Sequence, residues 1–370
     1  MRAIGIIMAG GNSERLKSLC TLRAISAMPV ASSLRAIDFS LSNMSNSNIK
    51  KVAVITQYNS RSLHDHLSSA KWWDLGRKQG GLFIFTPFLS NDNSFWFRGT
   101  ADSIYQNISF LKRSNEPYVI ITSGDAIYKL DFHDVLNAHI EKGADITIVC
   151  KDLANTDKDI RDFGVMELDE NNKLTHFEEK PVDPKSTIAS LGMYVISRSL
   201  LIKLLEDAIP NGRYDLVKDV IIRNSKELNI YGYKYDGYWT TLNSVNAYMK
   251  ANMDFLNADV RSMLTTQPYI DTKPKDEPPA KYNASANVKD ALIASGTIID
   301  GSVKHSILFR KVFVGANSCV ENSVIMESSY IGKGCTIKNA IIDKEVVISD
   351  GKSVIGEPDN PIVISKGEIV

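Results

Sequence analysis

The hydrophobic positions of this chain change rhythm once, and the change divides it in two. Over the first 250 or so residues, short apolar runs alternate with stretches of helical period. Ile4–Met8, Val52–Ile55, Tyr118–Thr122 and Ile146–Val149 are β-branched and continuous. Runs of this kind suit strands covered on both faces, as in a parallel sheet. Between them a helix is expected from Thr100 as N-cap, with Ile104, Ile108 and Leu111 along one side. A second is expected over Phe132–Lys142, gathering His133, Val135, Leu136 and His139. Alternation of this type predicts an α/β domain with a doubly wound, mostly parallel, Rossmann-like sheet over residues 1–258.

Residues 259–284 break the pattern. Pro268, Pro274, Pro278 and Pro279 fall here, interleaved with Lys273, Lys275, Asp276 and Glu277. Such a stretch reads as an extended linker. Beyond it, over 285–370, aliphatic residues recur every six positions: Leu308, Val314, Val320, Met326, then Ile325, Ile331, Ile337, then Ile342, Ile348, Val354. Small residues lie between, as in Gly315-Ala316-Asn317-Ser318. This hexapeptide rhythm predicts a left-handed parallel β-helix, each short strand turning one aliphatic side chain inward. An antiparallel β domain with chance spacing is the plainer alternative. Stacked coils expose ends and faces, so oligomerisation is expected.

Composition narrows the function. The 370 residues carry 43 Lys plus Arg and 43 Asp plus Glu. A balanced charge argues against a nucleic-acid partner bound by counterion release. Cys20, Cys150, Cys319 and Cys335 are scattered, with no CxxC, and read as free buried thiols rather than a disulfide framework or zinc site. The apolar run Ile4–Ala9 is too short for a signal sequence, and no run approaches a membrane span. A cytoplasmic protein with no membrane partner is expected.

Candidate chemistry begins where the first strand ends, in Met8-Ala9-Gly10-Gly11-Asn12-Ser13-Glu14-Arg15-Leu16. A glycine pair there lets backbone approach a phosphate or a base. Downstream come Arg35-Ala36-Ile37-Asp38-Phe39-Ser40, Thr56-Gln57-Tyr58, Trp96-Phe97-Arg98-Gly99-Thr100-Ala101-Asp102, Ser123-Gly124-Asp125, Phe163-Gly164-Val165-Met166 and Phe177-Glu178-Glu179-Lys180-Pro181. Taken together and in this order, these strings resemble the sugar-phosphate nucleotidyltransferases, and among them the ADP-glucose pyrophosphorylase (glucose-1-phosphate adenylyltransferase) family. The resemblance runs from about Arg2 to about residue 355. It implies a nucleotidyltransferase domain and the joining of ATP to glucose 1-phosphate, with release of pyrophosphate, for glycogen synthesis. That reaction brings two polyanions together, so it needs Mg²⁺, carboxylates to hold it, and Lys or Arg for the phosphates.

By resemblance, Asp125 is the catalytic and metal-binding carboxylate. Gly10, Gly11, Arg15 and Arg98 would hold the nucleotide, and Phe97, Gly164, Glu179, Lys180 and Ser190 the sugar phosphate. Plainer readings stand beside these: Asp125 as a turn former, Glu179 and Lys180 as a surface ion pair, and Arg98 as a cap on local carbonyls.

Several family positions are altered. The pattern Gly-Gly-x-Gly-Thr-Arg-Leu has Ser13 for the third glycine and Glu14 for the threonine, so a carboxylate stands where triphosphate should lie. Arg-Ala-Lys-Pro-Ala-Val becomes Arg23-Ala24-Ile25-Ser26-Ala27-Met28, and Gly-Gly-Lys becomes Ala31-Ser32-Ser33. In Tyr-Trp-x-Asp-Val-Gly-Thr, Thr241 takes the place of the second metal-binding aspartate. Leu22 occupies the place of an effector-binding lysine. One lost electrostatic group typically costs about 2.7–4 kcal/mol in a transition state. Three or four losses, even non-additive, remove much of a rate enhancement on the order of 10 kcal/mol. The chain therefore resembles the GlgD-type regulatory subunit, which implies a catalytic pyrophosphorylase subunit as hetero-oligomeric partner, or a homo-oligomer. It also implies sugar-phosphate effectors, and Mg²⁺ held by the assembled enzyme but weakly or not at all by this chain. Two other readings stay open: an active nucleotidyltransferase with a rearranged site, and a β-helix acyltransferase using His305.

Overall fold

A computed structural model of the chain describes residues 2–11, 14–77, 80–88 and 95–370. Asn12 and Ser13 of the glycine-rich string lie outside the described residues. The N-terminal domain is built on a nine-stranded sheet. Its strands are β1 Ala3–Ala9, β2 Lys51–Thr56, β3 Gly81–Phe85, β4 Tyr118–Ser123, β5 Ile146–Asp152, β6 Gly164–Leu168, β7 Leu174–Glu179, β8 Ile188–Ser197 and β9 Ile230–Lys234. The order β4-β1-β2-β3 is wholly parallel. Strand β8 joins it to a second block, pairing antiparallel with β4, β5 and β6, while β9 runs parallel to β5.

The continuous apolar runs are explained by cover on both sides. In β1, Ala3, Ile7 and Ala9 face one core with Ile37, Leu41, Trp73 and Phe132, while Ile4 and Ile6 face another with Ile104, Leu201 and Leu205. The helix expected from Thr100 is two short helices, Thr100–Tyr105 and Ile108–Lys112. Gly99 holds the N-cap position, and the Thr100 hydroxyl instead accepts the Leu216 N–H at 2.8 Å. Phe132–Glu141 forms as expected, capped by Asp131.

The stretch 259–284 does not begin as an extended chain. Asn257 caps a helix over Ala258–Thr265 by accepting the Asp259 N–H. The run 266–280 has neither helix nor strand. It is anchored where the Asp271 carbonyl accepts the Trp73 indole N–H at 2.9 Å and the Ser42 hydroxyl.

The C-terminal domain is a parallel β-helix. Residues in register along it lie 17 apart, as in Ser302–Cys319–Thr336–Ser353 and Phe313–Tyr330–Val347. These central turns are therefore two segments of six and one of five, while the register spacing is 15 from Ile298 to Phe313 and 22 from Ala340 to Ile362. The inward residues run Val314, Val320, Ile325, Ile331, Ile337, Ile342, Ile348, Val354. The short segment decides between two expectations at this corner: Ile325, expected in the second series, points inward, whereas Met326, expected in the first, does not. Met326 turns out onto the N-terminal domain. There a third core joins the two domains, with Leu16, Leu19, Tyr248 and Phe255 against Ile307, Phe309, Val324 and Met326. Buried within it is an ion pair, Arg23 Nη2 to Asp343 Oδ1 at 2.6 Å. Of the cysteines, Cys20, Cys150 and Cys335 are free and buried, whereas Cys319 is free but exposed on the β-helix. No helix among the described residues is long and apolar enough to cross a membrane.

Candidate active site

Ligands of an α/β sheet gather at the carboxyl ends of its parallel strands. Here β1 ends at Ala9 and delivers Gly10 and Gly11, β2 delivers Gln57 and Tyr58, and β4 delivers Ser123 and Asp125. A cavity of about 260 Å³ lies over Gly10 and Gly11, walled by Gln57, Tyr58, Phe97, Arg98 and Thr100. A side chain on Gly11 would meet open space, so this backbone is bare to the cavity. The Phe97 N–H donates to Gln57 Oε1 at 3.1 Å, and the Tyr58 and Trp96 rings stack with centroids 6.4 Å apart. Phe97, expected with the sugar-phosphate residues, lines this cavity with Gly10, Gly11 and Arg98, the candidate nucleotide residues.

Arg98 follows Phe97, and its guanidinium is spoken for. It donates to the buried Asp102 carboxylate at 2.9 Å, to the Tyr214 hydroxyl at 2.8 Å, and lies over the Tyr214 ring at 4.0 Å. The Asp102 hydrogen bond raises the Arg98 pKa. Arg15 is also engaged: Nη1 reaches both oxygens of Asp162, at 3.0 and 3.1 Å. The Glu14 side chain next to it is exposed.

Asp125 lies between the two ends. Ser123 Oγ donates to its carboxylate, and its carbonyl accepts the Leu242 N–H at 3.2 Å. Desolvation pushes its pKa up, opposed by the Ser123 hydrogen bond. Thr241 is close by, since Trp239–Thr241 pairs antiparallel with Ala126–Tyr128 and sets Thr241 opposite Ala126. Thr241 lines a second cavity of about 210 Å³ with Lys158, Asp162 and Asn243. The Lys158 amine donates to the Thr240 hydroxyl at 2.8 Å, and burial lowers its pKa. Ile25 is buried in the interdomain core, and Leu22 is exposed. Ala31 and Ser32 hold φ of 50° and 65°, a region that glycine enters without strain and other residues do not.

The candidate sugar-phosphate residues are brought together by register. Strand β7 pairs antiparallel with β6 so that Glu179 stands opposite Gly164. A Cβ on Gly164 would lie 2.7 Å from the Phe177 ring and 2.8 Å from Glu179 Oε2, so only glycine lets this carboxylate settle. Desolvation raises the Glu179 pKa, with Lys180 opposing and Asp215 reinforcing. Lys180 is exposed, at φ 52°, with its N–H on the Phe163 carbonyl. Ser190, on β8, has its hydroxyl 3.5 Å from that of Tyr194. Burial raises the Tyr194 pKa, and Glu179 and Asp215 act on it in the same direction.

Side-chain contacts and charge interactions connect the two groups of residues. Arg15 reaches Asp162, two residues before Gly164; Glu179 senses Asp215; and Tyr214, beside Asp215, takes Arg98 back to the nucleotide end. Gln57, Tyr58, Tyr194 and Asp215 belong to this cleft but were not singled out from the sequence as site residues. Gln57 and Tyr58 sit directly after a parallel strand, which was an available signal. Asp215 and Tyr194 are brought in by tertiary packing alone.

Comparisons with known proteins agree with this architecture. A family model described as nucleotidyl transferase matches residues 4–258, and one described as GlmU-like, C-terminal hexapeptide matches 278–360. The glucose-1-phosphate adenylyltransferase of Geobacillus stearothermophilus is 36% identical over 326 residues, covering 86% of this chain and 83% of its own length. That of Bacillus subtilis (strain 168) is 36% identical over 325 residues, covering 86% and 84%. That of Bacillus thuringiensis (strain Al Hakam) is 36% identical over 373 residues, covering 99% of both. A nucleotidyl transferase family match over residues 4–258, a hexapeptide family match behind it, and relatives 36% identical over 83–99% of their own length lead to one assignment: the chain belongs to the glucose-1-phosphate adenylyltransferase (ADP-glucose pyrophosphorylase) family.

Proposed function

We propose that this chain is a regulatory, catalytically impaired subunit of a glucose-1-phosphate adenylyltransferase, modulating a catalytic partner. The observation that carries the reading is the state of the cations. The two arginines that resemblance assigns to the nucleotide are each held by a carboxylate of the same chain, Arg15 by Asp162 and Arg98 by Asp102. The position of the missing lysine, Ile25, is apolar and buried. An incoming triphosphate would have to break an ion pair to gain each arginine.

The divalent ion fares no better. A Mg²⁺ that bridges phosphates is held through carboxylate oxygens. The Ser123 hydroxyl donates to Asp125, and Thr241, on the strand paired with Ala126–Tyr128, brings a hydroxyl where the family pattern has its second aspartate. Among the described residues no cluster of three His, Cys, Asp or Glu could hold a metal. This donor set does not fit the two-carboxylate site of the family.

The sugar end is better preserved. Gly164, Glu179, Lys180 and Ser190 keep their places, which supports retention of glucose 1-phosphate without turnover. Such a ligand would bias an assembly through the subunit contacts it favours. The reading is tested by assaying ADP-glucose formation by a catalytic relative with and without this chain, at fixed catalytic concentration. A change in the relative's turnover or effector response, absent when this chain is heat-inactivated, supports it. Additive rates with no change in response refute it.

A further inference from the structure

The second cavity, beside Thr241, has a charge pattern that the proposed function does not use. Its acids are all paired within the chain: Asp157 with Lys250, Asp159 with Arg161 at 2.7 Å, and Asp162 with Arg15 at 3.0 Å. One cation of the lining is left over. Among the described residues no carboxylate forms an ion pair with Lys158. Its amine donates to the Thr240 hydroxyl at 2.8 Å and lies 5.5 Å from the centre of the Trp239 ring. Thr240, Thr241, Asn243, Ser244 and Asn246 complete a neutral polar wall. The cavity thus carries one uncompensated positive charge, on a half-buried amine. Burial lowers the Lys158 pKa, with Asp157 and Asp254 opposing and Lys250 reinforcing. Asp254 is itself held by the Tyr238 hydroxyl at 2.8 Å. A lysine taken from water without a counter-charge gives up its proton more readily, which is how amine nucleophiles are activated.

We propose that Lys158 is a modification site, acylated at Nζ by a small acyl phosphate that enters this cavity. Three observations commit it to that reagent. The amine is poised: its hydrogen bond to Thr240 is donated, so the lone pair of the neutral amine is left free. The wall offers donors to a phosphate. Thr240 accepts from Lys158, and Ser244 Oγ accepts the Ala247 N–H at 3.1 Å, so each hydroxyl keeps its own proton to give to an anion. The size is the third. At about 210 Å³ the cavity is smaller than the ~300–1,000 Å³ of a drug-sized ligand site. It admits an acetyl-sized phosphate and leaves the nucleotide of a coenzyme A thioester outside. In the reaction the neutral Nζ attacks the carbonyl carbon and an N–C bond forms. The C–O bond to the phosphoryl group breaks, and its electron pair leaves with the phosphate. The proton lost from the nitrogen goes to the departing phosphate. The product is a neutral amide, which removes the one unpaired charge of the cavity.

The inference does not rest on the regulatory reading, and its test uses no activity. The full chain is incubated with a series of acetyl phosphate concentrations, and acetylation is followed by peptide mass spectrometry at Lys158 and at the exposed Lys226 and Lys289. Lys158 is expected to react at least about tenfold faster than either. Its rate should saturate with acetyl phosphate and fall when inorganic phosphate is added. Acetic anhydride carries no phosphate, so its reaction at Lys158 should ignore inorganic phosphate and rise with pH about a lower midpoint than at Lys226. Ser244→Ala removes one donor and should raise the half-saturating acetyl phosphate concentration several-fold, with circular dichroism to confirm its fold. If that variant fails to fold, the wild-type measurements still decide. Reaction at Lys158 no faster than at Lys289, a rate linear in acetyl phosphate and indifferent to inorganic phosphate, faster acetylation of Lys158 by acetyl-coenzyme A, or unchanged half-saturation in folded Ser244→Ala would each overturn the proposal.

Discussion

Replacing Asp343 by alanine tests how the two domains are held in fixed relation. The Arg23 and Asp343 side chains are 7% and 1% exposed, and their contact is 2.6 Å. Besides Asp343, the Arg23 guanidinium has the Met326 sulfur at 3.3 Å, a weak acceptor. Asp343→Ala therefore leaves a buried cation without a counter-charge, at a cost of about 3–5 kcal/mol. Against a total stability of about 5–15 kcal/mol this is a large fraction. The double change Arg23→Met with Asp343→Leu removes both charges and refills the space with apolar groups. It is expected to fall within about 2 kcal/mol of wild type, so the pair should show strong coupling. Urea unfolding followed by tryptophan fluorescence reports the N-terminal domain, which holds all four tryptophans. Far-ultraviolet circular dichroism reports the β-helix as well. A loss below about 1 kcal/mol for Asp343→Ala, or a double variant as unstable as the two single losses added, would refute the argument.

Other outcomes follow from individual groups. His139 is buried with Nδ1 2.9 Å from the Thr147 hydroxyl, and desolvation lowers its pKa to about 4 against 6.5, opposed by Asp145. The unfolded chain binds this proton more readily. Stability is thus complete above about pH 6.5 and falls toward pH 4, by on the order of 3 kcal/mol. A His139→Gln variant should lose that share of the acid slope in chemical unfolding curves. Gly164→Ala drives a methyl into the Phe177 ring and Glu179. It should abolish glucose 1-phosphate binding in calorimetry and cost about 1–3 kcal/mol. Asp162→Ala breaks a largely exposed pair, so it should change stability by less than about 1 kcal/mol. By releasing Arg15 it should raise ATP affinity several-fold, and unchanged affinity would show that the pair does not hold Arg15 from the nucleotide.

Both domains could be read from the chain because burial on two sides leaves a plain trace. Ile4–Met8 and Tyr118–Thr122 have no polar alternation, and that alone places them inside a sheet. The β-helix was legible for the same reason, down to its inward aliphatics. Its exact turn was not, because Val324, Ile325 and Met326 are all apolar. Only the geometry shows that Ile325 enters the helix while its neighbours meet the N-terminal domain. The missing lysine and the missing metal-binding aspartate were legible as residue types, Ile25 and Thr241. That Arg15 and Arg98 are also occupied was not legible. Asp162 lies 147 residues from Arg15, and Asp102 reads simply as an acid in the first turn of a helix. The cleft's second tier, Tyr194 and Asp215, is set by strand pairing and helix packing far apart in the chain, for which no local pattern exists.

The account rests on an adenylyl-transfer cleft whose positive lining is neutralised from within. Steady-state ADP-glucose formation by this chain alone, at saturating ATP, glucose 1-phosphate and Mg²⁺, tests that most directly when the Bacillus subtilis relative is assayed beside it. Turnover at least about 1,000-fold lower is predicted, the equivalent of roughly 4 kcal/mol of lost transition-state stabilisation. Ile25→Lys with Thr241→Asp should recover at least tenfold of it. Turnover within tenfold of the relative, or a further fall in the double variant, would contradict the account.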